Sequence, residues 1–158
     1  MKHVDVSLRI IGFVISVHVL GMYAFSPVIG SLSDRLGRVR VIQIGLAILL
    51  AATIVAGTAA ADNAIQLGIG LFLLGLGWSC TLIAGSAYLS ESVSVEMRPA
   101  SQGASDLVMN LSGAGGGALA GIIIGTLSYG WLCLFAALPV LLLSAKSIKL
   151  KELISDGE

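Results

Sequence analysis

The chain has 158 residues with nine basic and nine acidic side chains, so its formal net charge is zero; only 11% of residues are charged and 56% are hydrophobic. With a mean hydropathy of +0.98, it lies far from a soluble domain, where roughly 25% of residues are charged. The composition is that of an all-α integral membrane protein.

A helix needs roughly 20 apolar residues to cross the hydrocarbon. In chain order the apolar stretches predict five transmembrane spans, at residues 7–30, 39–60, 64–90, 100–126 and 129–146, within a membrane domain of residues 1–150 followed by a tail at 151–158. The first apolar run is too long for a signal-peptide core and no small-residue cleavage site follows it, so no leader is expected to be removed. Gly30 to Arg40 joins the first two spans in a short charged turn. Asp62 and Asn63 separate the second span from the third. Arg98 and Pro99 open the fourth, where proline is tolerated in a first helical turn. Ser128, Tyr129 and Gly130 lead into the fifth, whose Pro139 predicts a kink.

Arg35, Arg38, Arg40, Arg98, Lys146, Lys149 and Lys151 fall after odd-numbered spans and only Lys2 and Arg9 on the other side, seven cations against two. The positive-inside rule then puts the N-terminus outside and the C-terminus in the cytoplasm. A bacterial inner (plasma) membrane is the expected location.

The chemistry-bearing residues are few. Cys80 and Cys133 lie inside apolar runs without His, Asp or a second Cys nearby, arguing against a metal site or redox pair. No G-x-x-x-x-G-K-S/T loop is present, so ATP does not drive the protein directly. Two histidines and one carboxylate at depth are too poor a set for a membrane-embedded enzyme. No cofactor, metal or nucleic acid is expected.

His18 lies mid-span, where an ionisable group is costly and is by default a functional candidate. It suits either a proton relay or substrate contact, or a neutral packing bond. On the fourth span Asp106, Asn110, Gly113 and Gly117 share a helix face. Asp106 reads as a proton-coupling carboxylate or as an acid favoured by the helix N-terminus; Asn110 reads as a pathway contact or an interhelical bond. Gly113, Gly117, Gly121 and Gly125 form a small-residue stripe suited to close helix packing, and the same reading applies to Gly68, Gly75, Gly77 and Gly85 on the third span.

Gly30 to Arg40 reads G-x-x-x-D-R-x-G-R and resembles the hallmark between the second and third helices of each half of major facilitator superfamily transporters. Gly30 and Gly37 allow turns and close approach, Asp34 suits the positive start of the next helix, and Arg35 and Arg38 reach anionic headgroups or the carboxylate. Glu96 to Gly103 resembles the E-x-R-x-x-x-Q-G stretch leading into the fifth helix of a half.

The resemblance implies a secondary transporter of a small solute, with drug or metabolite efflux coupled to protons as one form. Five helices starting at the one before the hallmark imply part of a half-bundle. The ending, together with His18 to Pro27, is more similar to helices eight to twelve of a C-terminal half than to two to six. Family order makes spans one, three and four cavity-lining and spans two and five peripheral. The polar residues at depth, His18, Trp78, Ser79, Thr81, Ser86, Asn110 and Ser112, fall on the first group. Gly30, Asp34, Arg35, Gly37 and Arg38 are implied as the gating motif, with partners in membrane lipid, solute and the missing transporter half. The glycine stripe also resembles an antiporter motif, with Ala118 in place of its proline. The alternative is a non-transporting truncated product or a helix-packing membrane subunit.

Overall fold

The computed structural model describes residues 2–60 and 63–155, with side chains for 10–60 and 63–146. Asp62, read above as a separator, and tail residues 156–158 lie outside the described residues. The elements are α1 (Lys2–Tyr23), α2 (Ser26–Leu36), α3 (Arg38–Gly57), α4 (Ala64–Glu91), a 3-10 turn (Val95–Met97), α5 (Arg98–Thr126) and α6 (Tyr129–Ser155). They supply five stretches long and apolar enough to cross a membrane, the first made of α1 and α2 together.

That first span is not one helix. Pro27 is the second residue of α2 and has no N–H to donate back to the carbonyl of Tyr23. The Ser26 hydroxyl donates to the neighbouring carbonyl, that of Met22, at 3.3 Å and leaves the Tyr23 carbonyl unserved by it. The α2 helix then carries Gly30 to Leu36, so the charged turn expected over eleven residues narrows to Gly37 alone. Gly37 N–H closes α2 on the Ser33 carbonyl at 3.1 Å, and Gly37 O receives Val41 N–H at 3.3 Å. Pro139, where a kink was expected, sits inside α6, which is assigned as one helix from Tyr129 to Ser155.

The α4 helix is the centre of the bundle, packed by α1, α2 and α3, while α6 lies against α3. Ile29, Val41, Cys80 and Ala84 form the buried cluster where α2, α3 and α4 meet. Lipid gives no hydrophobic drive to helix association, so contact rests on close backbone approach. A Cβ on Gly45 would lie 2.9 Å from Cys80 Cβ and 3.1 Å from Gly77 O, and one on Gly77 would lie 3.0 Å from Gly45 O. Gly70 meets Ala56 in the same way, at 2.8 Å from its Cβ. Where α1 crosses α4, a Cβ on Gly75 would run into the His18 carbonyl and stand 3.0 Å from Met22 N. Gly68 and Gly85 have open space instead.

Asn63 caps α4 by accepting Gln66 N–H at 3.0 Å, and Gln66 Nε2 donates to Val55 O and Thr58 Oγ1, both at 3.1 Å. This ties the α3–α4 connection to the end of α3. Both cysteines are free and buried, Cys80 in the core and Cys133 against Gly57.

Candidate functional site: the arginine latch beside Gly37

Gly37 has φ +91° and ψ 150°, a region that side chains with a Cβ rarely adopt. It is the single residue between the end of α2 and the start of α3, and across it Arg38 pairs with Asp34, four positions earlier. Gly37→Ala is expected to cost roughly 1–3 kcal/mol of backbone strain, read as a lower unfolding temperature in detergent. An unchanged temperature would remove the requirement for glycine here.

Arg38 gathers three partners from two helices. Its Nη1 reaches Asp34 Oδ1 and, at 3.1 Å, Ser33 Oγ, both on α2. Its Nε and Nη2 donate to Glu91 on the last turn of α4, with Nη2 to Oε1 at 2.8 Å and Nε to the two oxygens at 3.1 and 3.3 Å. The guanidinium fork suits this geometry, since it offers five donors in one plane. Ser33 is 1% exposed, so the latch is anchored at its inner edge, while Asp34 and Glu91 lie at the surface.

The other hallmark residues stand apart from it. Arg35 is exposed and lines a shallow surface depression with Pro27, Val28, Ser31 and Leu32. A Cβ on Gly30 would meet nothing within 4 Å. Glu91 and Ser33 are the members that sequence reasoning missed. The one available signal for Glu91 is its place at a helix C-terminus, where the macrodipole disfavours a carboxylate and invites a cation.

Gln102, from the second motif, donates to Ser86 Oγ at 2.6 Å and so fastens the start of α5 to α4. Beyond that end, α5 is exposed over nearly all of its length. Gly113, Gly117, Gly121 and Gly125 have no atom within 4 Å of a would-be Cβ, so in this chain the stripe packs on nothing among the described residues. Asp106 and Asn110 are exposed on the same helix, where Asn110 Nδ2 donates to the Asp106 carbonyl at 2.7 Å.

His18 is not near that pair. Its Nδ1 lies 2.8 Å from the Leu71 carbonyl oxygen, which only accepts, so this nitrogen carries a proton. Its own carbonyl is the group against Gly75. A packing role is therefore built into both ends of the residue. His18→Ala is expected to destabilise the α1–α4 contact by about 1 kcal/mol, the net worth of a typical hydrogen bond, measured by thermal unfolding in detergent. Equal stability of variant and parent would argue for a different role.

Of the remaining polar residues at depth, Thr81 turns its hydroxyl back on Gly77 O and Trp78 O, and Trp78 stacks edge-on with Tyr23 at 6.2 Å. Ser79 is buried and its hydroxyl has no partner among the described residues.

Five stretches of spanning length without strands among the described residues, with a one-residue junction and a charged latch at one end of the bundle, define a polytopic helical membrane bundle. The family model described as Major Facilitator Superfamily matches residues 1–151; the chain belongs to the major facilitator superfamily. It is 40% identical over 143 residues to the uncharacterized MFS-type transporter YddS of Bacillus subtilis (strain 168), and 41% identical over 143 residues to YdeG, an uncharacterized MFS-type transporter of the same organism. Each match covers 90% of this chain and 33% of the relative, so the chain spans about a third of the length of the curated relatives it matches. No solved structure matches.

Proposed function

We propose that the chain is the five-helix portion, helices eight to twelve, of a secondary transporter that moves a small solute across the bacterial inner membrane. On this reading it works without enzymatic chemistry, and the Gly37 end of the bundle faces the cytoplasm. Arg38 is the observation that carries the gating role. It ties the α2–α3 junction to the end of α4, so these three helices move as one body when the bundle rocks against its counterpart.

The counterpart is the remaining part of the transporter. Two facts support its need: the third-length match to the relatives, and the exposed face of α5 with its open glycines. Asp106 and Asn110, on that uncovered helix, are the pathway residues in this reading. Proton-coupled efflux of a drug or metabolite is the finer form of the proposal.

The test is expression of the chain alone and together with the product encoded immediately upstream, in a transporter-depleted cell, with uptake and efflux of small drugs and metabolites measured. Transport with both products, lost in Asp34→Asn, supports the reading. Stable protein without transport in either case would point instead to a helix-packing subunit.

A further inference from the structure

A groove of about 420 Å³ opens between α3 and α6 over the last turns of α4. Val39, Ile42 and Leu46 form one wall, spaced three and four apart and so on one face of α3, and Leu143 of α6 forms the other. Thr81 lies at its floor with its hydroxyl spent on its own helix, which leaves the interior apolar. Tyr88 and Lys146 stand at its mouth.

The groove runs two turns along α3, roughly 10 Å at 1.5 Å per residue, and its volume falls within the roughly 300–1,000 Å³ of ligand sites. Its mouth lies at the end of the bundle that also carries Arg35, Arg38, Arg40 and Arg98. Of the carboxylates there, Asp34 and Glu91 are both engaged by Arg38, and Glu96 lies in the 3-10 turn between α4 and α5, where it is hydrogen-bonded to Ser94. Lys146 makes no ion pair or hydrogen bond among the described residues, and the Tyr88 hydroxyl makes none either. An apolar slot with an uncompensated cation and a phenol at the headgroup level is complementary to one kind of molecule in a bilayer.

We propose that this groove binds an anionic phospholipid, with one acyl chain lying between α3 and α6 and the phosphate at the Lys146 ammonium and Tyr88 hydroxyl. A neutral lipid would fill the slot but leave the cation without its counter-charge. Basic clefts between spanning helices recognise anionic headgroups for this reason. The site depends on the family's membrane embedding and not on the transport reading.

Native mass spectrometry of the detergent-purified chain tests the site, after incubation with dioleoyl phosphatidylglycerol or dioleoyl phosphatidylcholine. Phosphatidylglycerol is expected to be retained about fivefold more, the effect of one surface cation on an anionic lipid. Lys146→Gln should bring the two lipids level, Lys146→Arg should keep the preference, and Leu143→Trp, at the exposed rim, should lower retention of both. Glycerol 3-phosphate, the acyl-free headgroup, should not compete at matched concentration. Equal retention of the two lipids by the parent would overturn the site. So would a preference that survives Lys146→Gln in a monodisperse protein, retention unchanged by Leu143→Trp, or full competition by glycerol 3-phosphate, which would make it a phosphate site.

Discussion

Replacing Arg38 by glutamine in the proposed transporter is expected to lower transport by roughly tenfold or more, because a hydrogen bond to a charged group is worth about 1.5–3 kcal/mol and about 1.4 kcal/mol is a factor of ten. Charge alone does not set this magnitude. Asp34 and Glu91 are more than half exposed, and exposed ion pairs contribute little once solvent and salt screen them. What the fork adds is simultaneous hydrogen bonding to α2 and α4, including the buried Ser33 hydroxyl. Lysine at position 38 keeps the charge but is a point donor without the planar fork, so Arg38→Lys should fall between parent and glutamine. Arg35→Gln, which removes an arginine outside the latch, should have a smaller effect than Arg38→Gln. Equal losses at the two positions would mean that general positive charge, and not the latch, is what transport requires.

Gly75→Leu is expected to prevent stable association of α1 with α4, with most of the protein lost from the monodisperse peak in detergent. The atoms a Cβ would meet are all backbone: the carbonyl of His18, the nitrogen of Met22 at 3.0 Å and the carbonyl carbon of Gly21 at 3.2 Å. No rotamer change relieves them, so the helices must separate. Even Gly75→Ala should cost at least the roughly 1–3 kcal/mol of an overpacked core. The control is Gly113→Ala on α5, where a Cβ meets open space. In the chain alone it should be neutral or stabilise by up to about 1 kcal/mol, the helix-propensity gain of alanine over glycine. Similar melting for the two alanine variants would show that close approach at Gly75 does not hold the bundle.

That contrast also marks where the sequence becomes silent. The spacing of small residues on α4 and α5 reads alike, yet a Cβ at Gly75 or Gly77 would meet neighbouring backbone while one at Gly113, Gly117, Gly121 or Gly125 would meet nothing within 4 Å among the described residues. Residue spacing defines a face but does not name what covers it. The five spanning segments and the family were legible because bilayer thickness and short charged loops constrain them locally. Asp34 and Arg38 could be singled out from one motif, whereas Glu91 lies 53 residues from Arg38 and only tertiary packing brings it there. The break before Ser26–Pro27 was readable in principle, since proline removes a backbone donor, but an uninterrupted apolar run masked it. His18 reads as either relay or packing because a lone mid-span histidine satisfies both patterns; its bond to the Leu71 carbonyl favours packing.

The most direct measurement is a double-mutant cycle on transport with Arg38→Gln, Glu91→Gln and both together, in the chain co-expressed with the rest of the transporter. A working latch predicts that each single substitution lowers transport and that the pair is hardly worse than either alone, because one interaction is lost three ways. Losses that multiply in the double variant would contradict it, leaving Arg38 and Glu91 to act independently.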